Sequence, residues 1–317
     1  MKFVTNIFLG FLFITISGCM DDPVREYTSI YSVNLETKKV TKRCNLGYGY
    51  EINYSAMENY FFSPDKKHFI SIAYNEPDGY RALYYRDINS GVTLNTIASI
   101  EESEQFIWDV QFTKDEKKIT FSQGYVYCVN VDGTQLKKLV IGTYPTFSPD
   151  GQKILFLAEN GYLTLYDILQ NSYKQLYYED CIEYPIFHPN GEKIYFFDES
   201  DLKTFSLIDS TTTIIAEDLT FSGPIKFSNS GDRKVFYVFM KVFTLDEFDN
   251  INRLDLYSPE PCISSDGTKI AIAEGSLKIM DFNGSNCIEL GHAINNTGIG
   301  FTPDDKEVFY IDTWKDE

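Results

Sequence analysis

Few of the residues that carry chemistry are present: the 317-residue chain has 3 His, 2 Trp and 5 Met. Basic residues are also short, 28 Lys and Arg against 46 Asp and Glu, for a formal net charge of −18 and a sequence pI near 4.6. A surface of that sign repels phosphate backbones, so nucleic acid is excluded as a partner, while a cationic ligand or a basic protein is steered favourably. No stretch beyond the N-terminus has an uninterrupted amphipathic helical period, which argues against a helical fold. There is no G-x-S-x-G elbow and no phosphate-binding glycine loop, so a serine hydrolase of the nucleophile-elbow type and a P-loop enzyme are not expected. Nor is there a C-x-x-C pair, which removes the common zinc and redox motifs.

Apolar residues make up 43% of the chain, enough for a sizeable core. With 23 Tyr and 25 Phe, aromatics reach 16%, a bias that suits strands. Residues 1–19 read MKFVTNIFLGFLFITISGC. Lys2 supplies a positive start, and the apolar run to Ile16 is too short to span a bilayer comfortably but suits an export signal. The Ile16-Ser17-Gly18-Cys19 tetrapeptide resembles the lipobox of bacterial lipoproteins. That resemblance implies cleavage after residue 18, lipid attachment at Cys19, and a tether over 19–26 ahead of a single domain at 27–317. Several acyl chains on one residue anchor stably. Eight tether residues reach at most roughly 28 Å, so the body is expected to sit close to the membrane. Met20 follows the cysteine, and the absence of Asp there leans toward an outer membrane, facing the periplasm. Most of the other cysteines, Cys44, Cys128, Cys181, Cys262 and Cys287, are read as small apolar strand residues.

A four-residue signature recurs seven times along the rest of the chain: Phe62-Ser-Pro-Asp65, Phe112-Thr-Lys-Asp115, Phe147-Ser-Pro-Asp150, Phe187-His-Pro-Asn190, Phe227-Ser-Asn-Ser230, Ile263-Ser-Ser-Asp266 and Phe301-Thr-Pro-Asp304. The spacing runs from 35 to 50 residues. An apolar strand ends at Phe or Ile, a tight turn of Pro, Asp and Gly reverses the chain, and a second strand returns. Two further strands follow most copies. Four strands per repeat of about 40 residues is the mark of a β-propeller blade. After the seventh hairpin no outer strands remain, whereas residues 30–44 have the form of an outer pair with no signature before them. Joining the two ends completes a blade and removes exposed edges. The fold expected is therefore all-β, a propeller of seven four-stranded blades, with six as the alternative and the last blade closed by N-terminal strands.

The F-S-P-D-G-x-K-I-x-F pattern resembles the WD-like Pro-Asp repeat of the TolB family of periplasmic propellers, over nearly all of the chain past the tether. The resemblance implies protein binding near an envelope, and in its known form six blades. The function expected is a lipid-anchored, non-catalytic protein- or ligand-binding module of the cell envelope, held at the membrane by its lipid and meeting an envelope protein or peptide. A carbohydrate-active, lyase-like propeller enzyme is the alternative.

Propeller lyases that resemble this repeat hold a metal with several histidines in the channel. Here His68 falls in the slot of Lys118, Lys153, Lys193 and Lys269, read as an exposed strand position, while His188 lies in a turn and His292 precedes its signature by nine residues. Three phases do not converge on one ring, so no metal and no cofactor is expected. The signature carboxylates Asp65, Asp115, Asp150, Asp266 and Asp304 are read as turn formers. The ligand-binding candidates lie three or four residues before the signatures, at the channel mouth: Glu58, Trp108, Asp109, Tyr144, Glu183, Tyr184 and Glu260. Acids interleaved with aromatics suit a cationic or sugar-like ligand or a basic peptide.

Overall fold

The structure, a computed structural model, describes residues 26–48, 60–75, 80–100, 107–219, 223–239, 241–258, 260–292 and 299–315. Cys19 and Glu58 lie outside them. All regular structure in the described residues is β, and none of them forms a helix long and apolar enough to cross a membrane.

In chain order the strands are β1 (Glu26–Asn34), β2 (Val40–Tyr48), β3 (Tyr60–Phe62), β4 (His68–Asn75), β5 (Tyr80–Asp87), β6 (Thr93–Ile100), β7 (Trp108–Phe112), β8 (Lys118–Gln123), β9 (Tyr125–Asn130) and β10 (Lys137–Phe147). There follow β11 (Lys153–Ala158), β12 (Tyr162–Asp167), β13 (Ser172–Tyr178), β14 (Ile182–Phe187), β15 (Lys193–Asp198), β16 (Asp201–Ser206), β17 (Thr212–Ala216), β18 (Lys226–Phe227), β19 (Lys234–Val238), β20 (Lys241–Leu245) and β21 (Ile251–Tyr257). The last are β22 (Cys262–Ile263), β23 (Lys269–Ala273), β24 (Ser276–Asp281), β25 (Ile288–His292), β26 (Gly300–Phe301) and β27 (Glu307–Lys315). They pair antiparallel into a β-propeller. Strands β3–β6, β14–β17, β18–β21 and β22–β25 each make a four-stranded blade, and a fifth has the order β2-β1-β27-β26.

The expectation of seven separate four-stranded blades is corrected here, and six equal blades are not found either. Among the described residues five four-stranded blades stand apart, and the strands read as two more are joined in one seven-stranded sheet, β7 to β13. The cause is β10, which runs on where a chain break was expected. Its first part pairs with β9 and its second with β11, with register shifts at Lys138/Ile141 and Thr143/Thr146. Gly142 lies at the changeover, where an added Cβ would come within 2.6 Å of the Leu157 carbonyl oxygen. Only glycine lets the backbone pass that close.

Five of the seven signature turns are built alike. The Ser or Thr hydroxyl donates to the Asp carboxylate, as Ser148 Oγ does to Asp150 Oδ1 at 2.6 Å, and the amide two residues on donates to the same oxygen, as Gln152 N does at 3.0 Å. These bonds hold the Asp150 carboxyl below the usual range. The turn-former reading of Asp65, Asp115, Asp266 and Asp304 has the same basis. The next residue takes positive φ in every copy. Glycine fills that slot at 151, 191, 231 and 267, but Lys66, Glu116 and Asp305 hold it in the others, at φ 57, 59 and 54°.

The core lies between neighbouring sheets. Ile70 and Leu83 meet Val110 and Ile119; Val126 and Cys128 meet Ile154 and Phe156 across the two halves of the seven-stranded sheet; Leu155 and Leu163 meet Ile194. Tyr195 and Phe197 meet Phe236, Val235 meets Ile270, and Ala271 meets Val33 and Val308. The succession closes where Ile30 and Phe309 meet Phe69. Closure rests on β1, which pairs with β27 from Glu26↔Lys315 to Asn34↔Glu307. The five described cysteines carry no disulfide; Cys44, Cys128 and Cys262 are buried as expected, whereas Cys181 and Cys287 are exposed.

Candidate functional site

Three inner strands break their pairing at the same place. The register shifts lie between Trp108 and Gln111 in β7, Thr143 and Thr146 in β10, and Glu183 and Ile186 in β14. Each is a bulge that leaves inner-strand residues free of the ladder. In each bulge a non-glycine residue has positive φ: Asp109 at 56°, Tyr144 at 54° and Tyr184 at 49°. A left-handed conformation costs an ordinary residue on the order of 1–2 kcal/mol, and here it recurs at equivalent positions at one end of the ring.

The bulges are tied to one another. Asp109 Oδ2 accepts the Tyr144 amide at 3.2 Å and the Ser122 hydroxyl at 3.0 Å. The Tyr144 and Tyr184 rings meet with centroids 4.9 Å apart. Burial, with Tyr184, Glu183 and Asp109 beside it, pushes the Tyr144 hydroxyl well up from its ordinary value, so it is a neutral donor at physiological pH. Glu183 is exposed at the rim, and partial desolvation raises its carboxyl. Trp108 is 40% exposed beside them. The structure thus brings Asp109, Tyr144, Glu183 and Tyr184 together. Glu260 is buried two residues ahead of the inner strand β22, its amide bonded to Ser258 Oγ at 3.3 Å.

Sequence reasoning missed an acidic cleft next to this mouth. Ile182 pairs with Asp198, and the Glu199 amide donates to the Cys181 carbonyl at 3.3 Å, so the β15–β16 turn stands at the Glu183 end of its blade. A cavity of about 180 Å³ opens there between Glu179, Asp180, Asp198, Glu199, Asp201 and Lys203. Lys203 pairs with Asp198, and it lies 3.9 Å from Glu179. One ammonium among five carboxylates leaves the cleft negative. The sequence signal was the density of acids at 179–180 and 198–201, split by the intervening hairpin.

The histidines do not gather. His188 Nδ1 faces Asn190 Oδ1 at 2.7 Å within its turn, and His292 ends β25 opposite Ser276. His68 is not the exposed strand residue expected. It is half-buried, its ring stacks on Tyr85 at 4.8 Å, and its Nδ1 is buried without a hydrogen-bond partner. Asp65 and Glu116 stand next to it, and the atoms these three offer lie within 4.8 Å of one another. Burial raises the Glu116 carboxyl, with the Asp65 charge adding to it. The signal for this cluster was a Glu in a turn slot that is glycine in four other copies.

No family model matches the chain, and no curated protein matches it. Solved structures do. The chain is similar to TolB from Acinetobacter baumannii at 19% identity and TM-score 0.55, over 74% of this chain; it spans 65% of that protein's length. It is similar to a putative TolB from Agrobacterium tumefaciens at 17% identity and TM-score 0.51, over 91% of this chain and 99% of the other. An oligogalacturonate lyase in complex with manganese aligns at 12% identity and TM-score 0.64, over 91% and 97%. At these identities the likeness is one of fold, and the fold it establishes is a TolB-like β-propeller.

Proposed function

We propose that this chain is an exported binding propeller of the cell envelope, and that its mouth receives a positively charged segment of a partner protein. The observation that carries the reading is the set of matched bulges. Three strained non-glycine residues gather a carboxylate and two tyrosine rings at one rim, next to Glu183 and an acidic cleft. Strain that recurs at equivalent positions at one end of a ring is a device for presenting side chains there. Aromatic faces and carboxylates together bind ammonium and guanidinium groups, the first by cation–π attraction and the second by charge-assisted hydrogen bonds. The overall charge of −18 speeds the encounter with such a partner.

Attachment belongs to the same reading: cleavage after residue 18, lipid on Cys19, and an outer membrane facing the periplasm. Both β1 and the inner strands begin at the mouth end of their blades, which supports a tether attached on the face that carries the site. A lyase reading has less support, because the described histidines occupy different ends and strands of the ring.

A fluorescent Lys- and Arg-rich peptide titrated against the purified protein tests the proposal. Saturable binding that weakens at least tenfold in Glu183→Lys and with added salt is expected. Binding that ignores both changes would count against the mouth.

A further inference from the structure

At the end of the ring opposite the mouth, successive blades touch through their signature turns, and at one junction the contact has the makings of a metal site. The Glu116 carboxylate reaches from the β7–β8 turn to the β3–β4 turn, where its Oε1 accepts the Asp65 amide at 2.5 Å. Asp305 does the same at another junction, accepting the amides of Ser265 and Asp266 at 2.7 and 2.9 Å. Lys67 lies 3.6 Å from Asp65 at the first junction, and the two junctions differ in the slot that follows the turn. In the second, the slot that follows the turn holds Lys269, whose ammonium pairs with Asp281 of its own blade, and Arg233 lies close by, its Nη1 bonded to the Gly267 carbonyl at 3.0 Å. In the first, the same slot holds His68. Its ring is pinned by Tyr85, and its buried Nδ1 has no hydrogen-bond partner and stands 3.8 Å from Asp65 Oδ1, too far for a hydrogen bond.

We infer that Asp65, His68 and Glu116 form a binding site for a divalent transition-metal ion, which clasps two successive blades together. One imidazole nitrogen and two carboxylate oxygens are a donor set for zinc or a similar borderline ion, whereas calcium and magnesium favour oxygen alone. Ligands about 2.0–2.2 Å from zinc stand roughly 3.3 Å apart, so atoms now within 4.8 Å converge by rotation of the Asp65 and Glu116 side chains. The ion adds a bridge between the two blades. The role is structural, and it is independent of what the mouth binds.

Calorimetric titration of the full chain with zinc chloride, after dialysis against a chelator, tests the inference. The wild type is expected to bind one equivalent and to melt at a higher temperature with zinc than without. His68→Lys installs the residue that four other copies carry, so it folds, and it is expected to lose at least tenfold in affinity along with the thermal shift. Glu116→Gln is expected to weaken binding as well, while Asp305→Asn at the second junction leaves it unchanged. No zinc binding by the wild type, or equal binding by His68→Lys, would overturn the site.

Discussion

Closing the ring through its N-terminal strand makes Ile30 the most informative core position. Its side chain is fully buried, at 0% exposure, among Cys44, Phe69, Ile88, Phe309 and Ile311, residues drawn from two adjacent blades. Ile30→Ala removes three carbons from a site that β1 and β27 hold rigid by nine paired residues. Truncation of a buried isoleucine costs about 2–5 kcal/mol, because a cavity remains where the walls cannot collapse. At roughly 2–4 °C per kcal/mol for large domains, the melting temperature falls on the order of 10 °C. Circular dichroism melts of the wild type and variant measure it, with Leu169→Ala, at a residue 79% exposed, as the control expected to change little. Deleting residues 27–44 is the stronger form: it uncovers the β27 edge from Glu307 to Lys315, and unfolding or oligomerisation by edge pairing follows. A monomeric deletion variant, or an Ile30→Ala melt that matches Leu169→Ala, would refute closure by β1.

Other perturbations have equally definite outcomes. Asp150→Ala, which removes the acceptor of the Ser148 hydroxyl and Gln152 amide, costs about 1 kcal/mol at pH 7. The folded carboxyl is depressed below its unfolded value of 3.8, so this stability is full above that pH and is lost as pH falls through the folded value; melts of the two proteins should converge there. Lys234 is 2% exposed and bonded to Asp249 Oδ1 at 2.7 Å, and Asp249 also accepts the Tyr195 hydroxyl. Asp249→Ala removes the carboxylate partner of that buried ammonium, leaving it the Asp246 carbonyl at 3.1 Å, and costs about 3–5 kcal/mol by denaturant unfolding, more than Lys234→Met, which leaves Asp249 its tyrosine. Cys19→Ala moves the protein from the membrane to the soluble fraction, and mass spectrometry of the wild type finds a lipid on Cys19.

Much of the fold could be read from the repeat. The turn chemistry of Ser148, Pro149 and Asp150 recurs because each blade needs the same hairpin, and the mismatch between residues 30–44 and the last signature announced the closing blade. The continuous β10 was hidden, since Lys137–Phe147 reads equally well as an outer strand, a connection and an inner strand; its pairing with both β9 and β11 shows that no break occurs. At the mouth, Asp109, Tyr144 and Tyr184 were legible as inner-strand starts, but their bulges were not, because positive φ in Asp and Tyr leaves no mark on the sequence. The cluster of Asp65, His68 and Glu116 depends on contact between blades, and a repeat alignment compares such residues without placing them side by side.

The binding role of the mouth is tested most directly by crosslinking the full-length protein in native membranes and identifying what is captured by mass spectrometry. A reproducible envelope-protein partner is expected, captured by the wild type and lost when Glu183 and Glu199 are both changed to Lys. Undiminished capture of the same partner by that variant would contradict a binding site at the mouth.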